Sequence, residues 1–235
     1  MDKIIEDKEL GRLIVREHSR AKRLVFRSKS DAIYVSVPPG VSVREVEKAI
    51  EELRSKLVAT KQKLTRPLID LNYKIETEFF TLSLISGTHD KFLSHSKLGE
   101  MQVVCPSHAN FTDEKLQTWL QKVIEEALRQ NAKVILPPRL YLLSQQHKLP
   151  YKSVKINSSR GRWGSCSASK AINLSYFLVL LPKHLIDYVL LHELCHTREM
   201  NHGDRFWKLL NELTDGKAMA LRQELKNHKA AAEGQ

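Results

Sequence analysis

Pro182-Lys183-His184-Leu185-Ile186-Asp187-Tyr188-Val189-Leu190-Leu191-His192-Glu193-Leu194-Cys195-His196 reads as one buried helix that ends in chemistry. Proline suits a first helical turn. Leu185, Val189, His192 and His196 recur at helical spacing, and Tyr188 to Leu191 make the helix apolar nearly all round. Histidines four apart lie one above the other on one helix face, so both can bind the same ion. Glu193 beside the first can hold a water on that ion and take its proton. His202, in Asn201-His202-Gly203, can swing back as a third ligand, with Asn201 and Gly203 as the signal that ends the helix. Three protein ligands leave a position open, which separates a catalytic zinc site from a structural one. A buried His-Glu-His cluster without a metal would carry a heavy desolvation cost. With 10 His in 235 residues, a shuffled chain would hold His-Glu-x-x-His about 0.03 times, and about 0.001 times with the third His required.

Upstream, Ser158-Ser159-Arg160-Gly161-Arg162-Trp163-Gly164-Ser165-Cys166-Ser167 forms a dense polar loop between two expected strands. Arg160 and Arg162 offer planar donors for a carboxylate or oxyanion, and Arg162 is a candidate catalytic residue. The same segment also reads as a tight turn with solvated arginines. Cys166 could approach the metal, but a fourth protein ligand would close the site. The apolar run Ala171 to Leu180 reads as a long strand. At a sheet edge it could pair with an extended peptide, and in the sheet interior it could not.

Outside this region the chain alternates strand and helix signals. Leu13–Val15, Arg23–Phe26 and Ala32–Val37 read as strands. Ser42 and Glu45 form a capping box for a helix to about Leu64. Leu68–Leu71, Phe79–Ile85 and Met101–Val104 read as strands. Thr112 with Glu114 opens a helix that Pro137-Pro138 should break or kink. Val154–Ile156 is a further strand. Asp204 can cap a helix carrying Phe206 and Trp207, and Lys217 to Asn227 forms the last. No internal repeat is evident. The composition shift near residue 110 divides a β-rich region with one long helix (1–110) from the region with the metal motif (111–228), and 229–235 reads as a disordered tail. The expected class is α+β.

Three cysteines without a paired motif argue against a disulfide scaffold. No apolar stretch is long enough to span a membrane and the first ten residues lack an apolar signal region, so a cytoplasmic location is expected. The net charge of +11 favours contact with nucleic acid, although a basic protein needs no acidic partner. The denser basic runs are Arg16 to Lys29 and Lys56 to Arg66.

Arg162-Trp163-Gly164-Ser165-Cys166-Ser167, Ile172-Asn173-Leu174, Asp187-Tyr188-Val189, His192-Glu193-Leu194-Cys195-His196 and Asn201-His202-Gly203 with Phe206-Trp207 resemble the YgjP-like metallopeptidase family, a relative of the SprT-like and WLM zinc metalloproteases. Gly161 stands where that pattern leads one to expect Ser or Lys-Ser. The resemblance implies a zincin-like core, an active-site helix packed on a small sheet, after a β-rich N-terminal region. It implies one Zn2+ per chain bound by His192, His196 and His202, with Glu193 as general base, acting on a peptide or protein substrate. Two other readings stand beside it. One is a DNA-associated protease in the manner of the SprT-like enzymes, motivated by the charge. The other is a non-catalytic, zinc-stabilised binding module, in which nothing would require Glu193.

Overall fold

A computed structural model describes residues 3–28, 32–64 and 67–232, and side chains in all of these except 61–64 and 229–232. Among the described residues there are five α-helices and three small sheets, an α+β architecture. No helix there is long and apolar enough to cross a membrane. The chain divides into two compact units, residues 1–67 with 229–235, and residues 68–228.

The first unit holds β1 (Lys3–Asp7), β2 (Gly11–Glu17), β3 (Val25–Ser28), β4 (Ile33–Val37) and α1 (Val43–Leu64). Alternation places Leu13, Ile33, Val35 and Val37 on one sheet face, where they share a core with Val46, Ile50 and Leu57 of α1. The expected capping box is present: the Ser42 amide donates to Glu45 Oε2 at 2.7 Å, and the Glu45 amide donates to Ser42 Oγ at 3.3 Å. β1 lay outside the expected strands. In the basic runs, Lys29 and Arg66 lie outside the described residues, as do the side chains of Lys61 and Lys63.

The second unit opens with β5 (Lys74–Glu76), β6 (Thr81–Gly87), β7 (Leu93–Lys97), β8 (Glu100–Pro106) and α2 (Glu114–His147). Its sheet, ordered β5-β6-β8-β7, repeats the first unit's order β1-β2-β4-β3. In both, the outer pairs are antiparallel and the central pair is parallel. The registers also correspond: Leu13 faces Ile33 as Leu82 faces Met101, and Arg27 faces Tyr34 as His95 faces Gln102. Each sheet then runs through a proline, Pro38 or Pro106, toward a long helix. The expectation of no internal repeat is therefore corrected. Inward positions share only apolar character and outward positions share almost nothing, so the duplication lies in the pairing.

The expected strand Leu68–Leu71 is instead a turn, in which Asp70 accepts from the Asn72 amide at 2.8 Å. Phe80, Leu82, Leu84, Met101, Val103 and Cys105 share one core with α2 and the metal-motif helix, so the sequence-read boundary near 110 falls inside this unit.

α2 begins at Asp113, whose carboxylate accepts from the Lys115 amide at 2.8 Å, and stays helical through Pro137 and Pro138. The expected break is absent. Leu136 and Leu140 on either side are fully buried, and the carbonyls that lose partners belong to Lys133 and Val134, both exposed residues where water can satisfy them. Buried Asn131 of this helix accepts from the Gly99 amide at 2.5 Å, which fixes the β7–β8 turn, where Gly99 holds φ +79°.

After α2 come β9 (Ser153–Asn157), β10 (Gly164–Cys166) and β11 (Ala171–Ser175), in the order β10-β11-β9. The expected long strand to Leu180 stops at Ser175. Ser175 Oγ accepts from the Phe177 amide and caps a 3-10 turn over Tyr176–Leu180, and Tyr176 and Val179, one such turn apart, both point into the core. β11 is the central strand, so it offers no free edge.

α3 (Lys183–Cys195), α4 (Asp204–Leu213) and α5 (Ala218–Ala232) follow. As expected, α3 is buried almost all round. The Asp187 carboxylate pairs with Arg139 and ties α3 to α2. α3 stops at Cys195, well before the Asn201-His202-Gly203 signal. The amides of Thr197 and Arg198 turn back to Leu194 and Cys195, and Thr197 Oγ1 also donates to Leu194. Neither Asn201 nor Gly203 is left-handed: Gly203, at φ −82°, caps α4, and Asp204 is its first helical residue. The tail read as disordered from 229 is helical to Ala232, and 233–235 lie outside the described residues.

Candidate metal centre

His192 lies in the last turn of α3, His196 caps it with helical backbone, and His202 sits one residue before the cap of α4. Leaving the helix early is what lets the chain double back and bring His202 onto the other two. The ligand atoms of the three imidazoles lie within 4.8 Å of one another, and His202 Nε2 is 3.0 Å from His192 Nε2. A tetrahedral ion with metal–nitrogen bonds near 2.05 Å would separate its ligand atoms by about 3.3 Å, inside this range.

Phe206 of α4 packs beneath all three rings, at centroid distances of 4.9, 4.6 and 4.7 Å from His192, His196 and His202, and is itself fully buried. His196 Nδ1 meets the Glu199 carbonyl at 3.1 Å, which leaves Nε2 as the lone-pair donor. Trp207 Nε1 donates to the His202 carbonyl at 3.0 Å and steadies the third ligand through its backbone. Burial, with His196 and His202 nearby, holds the His192 pKa down to about 3, and burial lowers that of His196. Both therefore remain neutral, the form that binds metals.

Glu193 is 5 % exposed, and its Oε2 is buried without a hydrogen-bond partner. Burial pushes its pKa up to about 8, opposed by the charge of Arg162. A carboxylate held in this state needs a cation and a water, or a protonated substrate group, beside it. The donor set, the orphaned oxygen and the neutral imidazoles together fit a divalent metal with an open position.

β10 forms the wall opposite α3. A Cβ at Gly164 would come 2.7 Å from Glu193 Oε1, so this glycine is the space in which the carboxylate lies. Gly164→Ala should displace the carboxylate and lower kcat by at least about tenfold while metal content stays at the wild-type level. Equal kcat in the two proteins would show that the contact has no role.

The arginines divide. Arg160 pairs with Glu125 of α2 at 2.6 Å and lies 4.4 Å over the Phe177 ring, which makes it an anchor of the loop. Arg162 is exposed and acts on Glu193 through its charge. Cys166, half-buried, donates to the Ser167 carbonyl and is not part of the histidine cluster. Cys195 is buried, and burial pushes its thiol up to about 12. Sequence reasoning missed Phe206 as the floor of the site, Gly164 as the cradle of Glu193, and Arg222. The Arg222 guanidinium of α5 lies 5.0 Å over the Trp207 ring and contributes positive charge at His192 and Tyr188. Only Phe206-Trp207, at helical offset from His202, carried a signal for any of these.

The family model described as YgjP-like, metallopeptidase domain matches residues 22–228. No curated protein and no solved structure matches the chain.

Proposed function

We propose, from the premise that this chain belongs to the YgjP-like metallopeptidase family, that it hydrolyses peptide bonds using one Zn2+ held by His192, His196 and His202. α3 against the β10-β11-β9 sheet would then be its zincin-like core. Zn2+, when bound, makes a water more acidic and polarises the amide carbonyl. Glu193 is placed to take the water's proton as its oxygen adds to the carbonyl carbon. Glu193 then returns a proton to the amine nitrogen as the carbon–nitrogen bond breaks. Arg162, exposed beside Glu193, is suited to the carbonyl oxygen as negative charge develops there.

A peptide substrate suits the strand beside the site. In the β10–β11 ladder the Ser175 amide donates to the Trp163 carbonyl and the Ser167 amide to that of Ala171. Alternation then turns the backbone groups of Gly164 and Cys166 away from β11, toward the outer edge of this sheet. An extended peptide pairing there would run past Glu193.

The observation that carries the reading is the convergence of three imidazoles, two of them held neutral by burial, beside a buried carboxylate with an unpartnered oxygen. It is tested by stripping the protein with a chelator, restoring one equivalent of Zn2+ and digesting a peptide library. The expected result is cleavage by the zinc-loaded protein alone, with one zinc per chain by elemental analysis. A zinc-loaded protein that leaves the library intact overturns the peptidase reading.

A further inference from the structure

The duplicated sheets supply an internal comparison. In each, one face is apolar and covered, and the other points outward. On the outward face of the second sheet stand Thr81, Ser83 and Ile85 of β6, His95 of β7 and Gln102 of β8. The same register positions of the first sheet hold Arg12, Ile14 and Arg16 of β2, Arg27 of β3 and Tyr34 of β4. The pairing pattern is shared, so the two sheets differ on this face in their side chains alone.

The three arginines are exposed, and Tyr34 is half-buried between Ile14 on one neighbouring strand and Arg27 on the other. Arg12 and Arg16 lie about 13 Å apart along β2, and Arg27 lies two strands, about 10 Å, from Ile14. Among the paired residues on this face the one acid is Glu6, opposite Arg12. An aromatic ring set among planar guanidinium groups on an open sheet matches the two needs of an unpaired strand: flat surfaces on which bases stack, and bidentate donors for phosphates. A duplex hides its base faces from such a ring.

We infer that the outward face of β1–β4 binds single-stranded nucleic acid, with bases on Tyr34 and phosphates on Arg12, Arg16 and Arg27. This activity is independent of the peptidase chemistry. The test uses the full chain and fluorescence anisotropy with labelled oligo(U) and oligo(dT) of about 15 nucleotides, at about 50 mM salt. Binding of either supports the assignment, and their ratio reports contact with the 2′-hydroxyl. Combining Arg12→Ala, Arg16→Ala and Arg27→Ala should weaken binding at least about 30-fold and flatten the salt dependence. Combining Arg44→Ala, Lys48→Ala and Lys115→Ala, which removes equal charge from exposed positions of the two long helices, should change it less than about threefold. Tyr34→Ala should cost about tenfold, and Tyr34→Phe should restore it. The single variants Arg12→Ala and Arg27→Ala, each expected to lose about threefold, carry the test should the triple variant not fold. Equal losses in the two triple variants overturn the inference. So do tighter binding of the matching duplex, arginine-dependent binding of a poly-glutamate peptide in place of the oligonucleotides, or no binding at all.

Discussion

Glu193→Gln should retain the metal and lower kcat by at least about 10³-fold, because glutamine keeps the shape of the side chain and loses the proton acceptor. Metal content by elemental analysis and turnover of any peptide the wild type cleaves are the two readouts. Full turnover in the variant would remove Glu193 from the reaction. The metal-free protein gives an independent check. Burial pushes the folded-state pKa of Glu193 up to about 8, against an ordinary value of about 4.3 in the unfolded chain. The folded state thus holds a proton that the unfolded state releases. The stability from this group is fully present below the unfolded value and is lost as pH rises through the folded one. The metal-free wild type should melt at progressively lower temperature than the variant between pH 5 and 9. Parallel melting curves across that range would mean that Glu193 is not desolvated as described.

Replacing a ligand should act on the metal first. His196→Ala removes an imidazole whose Nδ1 is already committed to the Glu199 carbonyl, and with it one donor of the set. Zinc affinity, measured by competition with a chromophoric chelator, should fall by more than about 100-fold, beyond the 10–100-fold typical of groups that only support a ligand. The gain in melting temperature on adding zinc should vanish with it, since that gain measures binding to the folded state. His192→Ala and His202→Ala should behave alike. Trp207→Phe, which keeps an aromatic ring and loses the hydrogen bond to the His202 carbonyl, should lie in the weaker range. A His196→Ala protein that binds zinc as tightly as wild type would exclude this residue from the site.

The histidine cluster was legible because helical periodicity converts sequence spacing directly into position: residues 192 and 196 must share a face wherever α3 lies. The return of His202 was legible as an expectation, but its mechanism was not. The chain leaves the helix through turns at Thr197 and Arg198, residues without a terminator's signature, while the Asn-Gly signal six residues later serves α4. Pro137-Pro138 misled for the opposite reason. A local breaker was overridden by burial of Leu136 and Leu140 on either side and by carbonyls free to meet water. The run Ala171 to Leu180 showed only that it is buried, and apolarity does not distinguish a strand from a 3-10 turn. The cradle at Gly164 could not be read, because it depends on which glycine of the loop faces α3.

The matched registers of the two sheets also bear on how the chain reaches its fold. Leu13 could face Met101, Ile33 could face Leu82 and Val35 could face Leu84 of the other copy at little loss of apolar contact, so a refolding chain faces a competing swap of strands. What opposes the swap is the change of partner in the outward rows, where Arg16 would face Val104 in place of Ser36 and Arg27 would face Gln102 in place of Tyr34, together with the short connections that make each copy's own pairs close first. Divergence between the copies thus acts as a kinetic address, one that directs each strand to its own half of the molecule before the metal-binding end of the chain is in place.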